Sequence, residues 1–215
     1  MHKTVQQVVF TAAIFLTASS AGRAQQSNSA QVSEDLASIV PVIMAEVNNY
    51  GKVQKDTQSG ADAAVDLASI NSTSDLTTRL KDLDAYIGAT TDMVAILRAA
   101  PVLAVYEARN KGLDDTQQIR AFELMDSSLE AAGATQIVRK MQADRRYFQG
   151  WSGLLAMLRD NPGLWSTKDG DTLPISFKNS EFEAAFWVQV DAILQAEKDA
   201  NRKADEVDAA KSEGD

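Results

Sequence analysis

Any chemistry done by this chain would have to rest on carboxylates, a Ser-Lys pair, tyrosine, or a hard cation held by oxygen ligands. The sequence contains no cysteine and a single histidine, His2. His2 lies in a segment read below as a cleaved leader, so the mature chain would contain neither residue. Their absence removes the usual general base, the Ser-His and Cys-His nucleophile systems, His/Cys zinc sites and covalently attached c-type haem. The function class this favours is non-enzymatic.

The remaining carboxylates form no recognisable catalytic set. Asp82 and Asp84 are two residues apart on a helical pattern and so point to different faces. Asp114 and Asp115 stand where a helix begins, and there an acid answers the helix dipole. The run Lys168-Asp169-Gly170-Asp171-Thr172 suggests a calcium loop only at first sight. Counted from Asp169, it places Leu173 at the fifth position, Pro174 where glycine is needed and Ser180 where the bidentate glutamate belongs. An ordinary turn is the better reading, and no metal or cofactor is expected.

Aromatic residues are concentrated instead. Of the twelve that follow residue 24, eight fall between Tyr147 and Trp187, including all three tryptophans. Two readings follow. The plain one is that these residues supply the bulkiest part of the core. The functional one is a ligand groove or partner surface built from Arg145, Arg146, Tyr147, Trp151, Trp165 and Trp187, in which the arginines hold an acidic group. Trp165, beside Pro162-Gly163, is the tryptophan expected to be exposed. Asp144 sits on an otherwise apolar stripe, which calls for a cation on a neighbouring helix if it is buried.

These residues need elements to hold them. Residues 1–24 have the form of an export signal: Lys3, an apolar run of eleven residues from Val8 to Ala18, and small residues ending at Ala24. The run is well short of the roughly twenty residues a spanning helix needs. The longest later apolar stretch, Met93 to Tyr106, is broken by Arg98 and Pro101, so no membrane insertion is expected after cleavage. Without cysteine, neither a lipid anchor nor a disulfide framework is available, and the fold must rest on its core. The expected location is the periplasm or the extracellular space.

Residues 25–32 read as a flexible lead-in, residues 33–196 as one helical domain and residues 197–215 as a charged, solvated helical tail. Helical stripes recur throughout. Leu36, Val40, Ile43, Val47 and Tyr50 form one, with Ser33 as cap, Pro41 as a kink or start and Gly51 as a weak point or end. A short separate helix is expected between Ala61 and Ile70. Leu76, Leu80, Leu83, Ile87, Thr90, Val94, Leu97 and Pro101 then alternate steps of four and three in coiled-coil fashion after Ser74. Gly88 and Pro101 weaken or bend that helix, or Pro101 opens a new one to Arg109, and Asn110-Lys111-Gly112 is the stop.

Ile119, Phe122, Met125 and Leu129 mark a further helix up to Gly133. Ile137, Met141, Asp144, Phe148, Trp151, Leu155 and Leu158 mark the next. Residues 161–179 are an irregular loop with room for a strand, and Asn179 or Ser180 caps a last long helix carrying Phe182, Phe186, Val190, Ile193 and Leu194. The expected class is all-α, an antiparallel bundle of about five to six helices.

Loss of Lys3 and Arg23 with the leader takes the formal charge from −9 to −11. Such acidity speaks against nucleic acid or an anionic membrane as a partner. The function these readings favour is an exported helical binding protein of the cell envelope, whose partner is another envelope protein or a small ligand. A periplasmic chaperone or assembly accessory, and a carboxylate-based enzyme acting on envelope material, are the alternatives.

Overall fold

The computed structural model describes residues 26–70, 72–167 and 175–212. They form an all-α helical bundle of five helices with one two-stranded sheet: α1 Gln26–Ala64, α2 Thr73–Asn110, α3 Asp115–Ala131, α4 Ala134–Asp160, β1 Trp165–Thr167, β2 Ile175–Phe177 and α5 Ser180–Ser212. The leader segment and the Lys168–Thr172 turn lie outside the described residues.

The chain divides into two compact units. The first takes residues up to Tyr50 together with Ala95–Thr135, and the second takes Gly51–Val94 and everything from Gln136. Buried apolar side chains of the first come from α1 (Ile39, Ile43, Val47), α2 (Leu97, Ala100, Ala104) and α3 (Met125, Leu129). The second has one continuous core drawn from the end of α1, the first half of α2, α4, both strands and α5, with Leu76, Leu83, Tyr86, Leu154, Leu155, Leu158 and Phe186 at its centre.

Two helices are longer than the sequence breaks suggest. α1 is already helical from Gln26 and runs through both Pro41 and Gly51, and α2 runs through Pro101. A proline removes one ladder hydrogen bond, and the apolar residues buried on either side hold the helix through that loss. The separate helix expected over 61–70 is instead the end of α1, followed by a short 3-10 helix, Leu67–Ser69.

α2 also contains an 18-residue window of mean hydropathy 1.4, long and apolar enough by composition to cross a membrane, and 44% of that window is buried inside the protein. Its last turn closes as a Schellman motif: Gly112 at φ 75° donates to the Arg109 carbonyl and Leu113 to that of Ala108.

Capping residues set the other boundaries. The Asp114 carboxylate accepts from the Gln117 amide at 2.9 Å, and the Gln117 side chain accepts in return from the Asp114 amide. Asn179 accepts from the Phe182 amide at 2.8 Å. Ser72, two residues earlier than the expected Ser74, accepts from the Asp75 amide and caps α2.

The tightest junction lies where α1 gives way to α2. Arg79, only 8% exposed, donates Nε to Asp75 at 2.9 Å, Nη2 to Ser69 at 2.6 Å, and Nη1 to the carbonyls of Ala63, Ala64 and Asp66. A planar, permanently charged fork thus satisfies the orphan carbonyls at the α1 terminus, where the helix dipole also favours a cation. Replacement by methionine (Arg79→Met) removes the guanidinium donors from Asp75 and from those carbonyls, of which Ala63 and Asp66 keep a backbone donor. We expect it to cost about 3–5 kcal/mol in urea unfolding, with Arg79→Lys falling between the variant and the native chain.

α4 and α5 approach closely at Gly150, where an added Cβ would lie 2.9 Å from Cγ1 of Ile193. Gly88, exposed on α2, has open space around it. Alanine should therefore act oppositely at the two sites: Gly88→Ala stabilises by up to about 1 kcal/mol through helix propensity, whereas Gly150→Ala destabilises by about 1–2 kcal/mol as overpacking outweighs that gain. Thermal melts of the two variants check the signs.

Candidate functional site

Of the six residues of the expected groove, Tyr147 and Trp151 come into ring contact, whereas Trp165 lies at the far end of α4 and Trp187 at the surface of α5. Trp165, expected to be exposed, is 6% exposed. Its indole N–H donates to the Leu158 carbonyl at 2.7 Å, and the Asn161 amide covers the Met157 carbonyl at 2.9 Å. The reason for its burial is the end of α4, whose last carbonyls have no partner within the helix. The β1–β2 hairpin, with Trp165 opposite Phe177 and the Ser166 and Ser176 hydroxyls 2.8 Å apart, carries the indole to that position.

Arg146 lies twelve residues upstream of Leu158 on α4, about 18 Å away along the helix. It forms an exposed bridge to Asp199 of α5 at 2.6 Å. Asp199 also accepts from Arg202, and these two cations, Arg202 foremost, hold its carboxyl below the usual range. Arg145 donates to the Thr91 hydroxyl of α2 at 3.3 Å. Both arginines therefore serve contacts between helices of the second unit.

Tyr147 is buried, in edge contact with Phe148 at 5.0 Å and with the half-buried Trp151 at 6.5 Å. Phe148 in turn meets Tyr86 of α2 at 4.6 Å. On the other side of this core Phe177 packs on Phe186 at 4.9 Å, and Phe186 meets Trp187 at 5.5 Å. Most of the aromatic concentration is thus core, and Trp187, 41% exposed, is the member that reaches the surface.

A small set of polar groups lies within this core. The Tyr86 hydroxyl accepts from the Gln54 amide of α1 at 2.9 Å. Burial, followed by the charge of Asp144, drives the Tyr86 phenol well above its ordinary range, and burial likewise raises that of Tyr147. Asp144 itself is raised by burial, a pull only partly offset by Lys140. The cation expected on a neighbouring helix is this lysine one turn earlier on α4, 2.5 Å away. Two protonated phenols and a carboxylate closed off by its own lysine supply no nucleophile or accessible base. Among the described residues no group of three or more Asp, Glu, His or Cys side chains could hold a metal ion.

The surface offers more. On α5, Trp187, Val188 (67% exposed) and Leu194 point away from the buried stripe of Phe182, Phe186, Ile193, Ala200 and Val207, and the acids Glu183 and Asp191 flank them. Ala200 and Val207, within the expected solvated tail, are buried, so the packed side of α5 continues as far as Val207. On α2, Val102 and Tyr106 are exposed between Arg98 and Arg109, and on α3 Ile119 and Phe122 are exposed. The sequence stripes place Ile119 and Phe122 inward with Met125 and Leu129, and Leu194 inward with Ile193; the buried face of α3 is instead Ala121, Met125 and Leu129, and that of α5 turns Leu194 outward. Sequence periodicity did not single out Val102, Tyr106 or Val188, because the buried stripe of each helix gives the stronger signal. No family model, curated protein or solved structure matches the chain.

The buried ion pair yields a test. A carboxylate raised on folding stabilises the fold fully below its unfolded value, and that contribution is lost as pH rises through the folded value. At neutral pH the ionised pair is therefore a burden. With the two side chains 15% and 16% exposed, the double replacement Lys140→Met with Asp144→Leu should raise stability by about 1–2 kcal/mol. The gain should grow with pH across the carboxylate range in urea titrations, and a loss at pH 7 would contradict the assignment.

Proposed function

We propose that this chain is an exported, non-enzymatic helical binding protein of the cell envelope, which meets a protein partner through the outward face of α5. The observation that carries the reading is Trp187, 41% exposed beside Val188 and Leu194 on a helix whose opposite side is fully packed. A tryptophan held on a rigid helix offers a large apolar contact at little entropic cost, and such residues dominate protein interfaces. Glu183 and Asp191 on the same face suit a partner surface that is apolar and basic. The leader pattern of residues 1–24 supports export. A chaperone role is the second reading, favoured by the additional exposure of Ile119 and Phe122 on α3.

Photo-crosslinking in cells tests the first reading. A photoreactive residue in place of Trp187 should give a defined protein adduct in the envelope fraction, whereas one at exposed Gln149 on α4 should not. The purified chain should begin at Gln25 by intact mass. Recovery of exported chain with no adduct at position 187 would overturn the reading.

A further inference from the structure

Two exposed helix faces share one spacing and carry opposite charge. On α2 the residues Arg98, Val102, Tyr106 and Arg109 follow steps of four, four and three, and all are exposed. At 100° per residue they fall within about 80° of the helix circumference. On α5 Glu183, Trp187, Asp191 and Leu194 follow the same steps and are likewise exposed, within a sector of the same width. Arg98, Arg109, Glu183 and Asp191 take part in none of the ion pairs among the described residues. Neighbouring charges on α4 and α5, by contrast, are bridged to one another.

An acidic chain with a formal charge of −9 that leaves two arginines unbridged around a valine and a tyrosine presents a basic, apolar stripe. That is the surface chemistry the α5 face calls for. From this complementarity we infer that the partner of the α5 face is the α2 stripe of a second copy of this chain. The inference rests on the binding reading of α5 given above.

Laid antiparallel, the two stripes put Arg109 opposite Glu183 and Tyr106 opposite Trp187. Val102 then comes opposite Asp191 and Arg98 opposite Leu194, with the Asp191 carboxylate three residues, about 4.5 Å along the axis, from Arg98. The two surfaces differ, so the contact is heterologous: each copy keeps one free face of each kind, and association continues head to tail until a ring closes. A contact of two helix faces is small, which places it among weak, concentration-dependent interfaces, and its charged part is screened by salt.

Sedimentation velocity of the purified exported chain tests this. The average mass should rise with protein concentration and fall with added salt. The double variants R98E/R109E and E183R/D191R, checked for native circular dichroism, should each weaken self-association about tenfold or more. Mixing the two should restore it, because each variant then meets the opposite charge, a recovery that misfolding could not give.

A chain that stays monomeric at every concentration overturns the inference, as does association untouched by both double variants or a mixture that fails to recover. A monomeric chain that still crosslinks at position 187 to a different protein overturns the second-copy assignment alone and leaves the binding reading standing.

Discussion

The guanidinium of Arg79 is the contact on which the second unit depends. A helix end leaves its last carbonyls without partners inside the helix, and α1 stops against the 3-10 helix Leu67–Ser69. One buried fork takes the carbonyls of Ala63, Ala64 and Asp66, the Ser69 hydroxyl and the Asp75 carboxylate together. It thereby ties the end of α1, the reversal and the first turn of α2 into one body. From that anchored start Leu76, Leu80, Leu83 and Tyr86 enter the core with Phe148 and Leu155. A lysine, a point charge on a flexible stem, has no equivalent of the five-donor fork.

The same problem recurs at the end of α4 and meets a different solution. The Leu158 carbonyl takes the indole N–H of Trp165, which the hairpin delivers from sequence positions beyond the helix. In both places a side chain with an apolar body and a polar tip closes a helix terminus from outside the helix. In both it is buried by doing so. The Trp165 burial and the shortness of the hairpin therefore have one cause: strands of three residues serve here to seat an indole and two phenylalanine contacts.

The stripes of α4 and α5, the Gly112 stop and the cap at Asp114 were legible in the sequence, because each is a local pattern of apolar spacing or of one side chain against its own backbone. Less legible was anything needing a partner distant along the chain. Arg79 stands between Leu76 and Leu80 and reads as a surface residue of an apolar helix until the carbonyls of residues 63–66 are brought to it. Pro41 and Gly51 read as breaks, yet α1 continues through both, since burial around Ile39, Ile43 and Val47 outweighs local propensity. Of the expected site, Trp187 was named for its type, but its outward direction follows from Phe186 and Ile193 facing inward.

That division between inward and outward faces bears on function. The described residues include neither histidine nor cysteine, so a catalytic site among them would have to be assembled from carboxylates, phenols or cations held in a shared cleft. Among the described residues several such groups are engaged in structure: Arg79 closes a helix, the half-buried Lys140 answers Asp144, and the Tyr86 hydroxyl accepts from Gln54. Bridged cations such as Arg146 join helices at the surface. The residues left over are large apolar side chains and unbridged charges on the outer sides of α2, α3 and α5. Burial of such side chains against a partner would recover the hydrophobic free energy that folding alone leaves unused, at roughly 25 cal/mol per Å² of apolar surface before the costs of association.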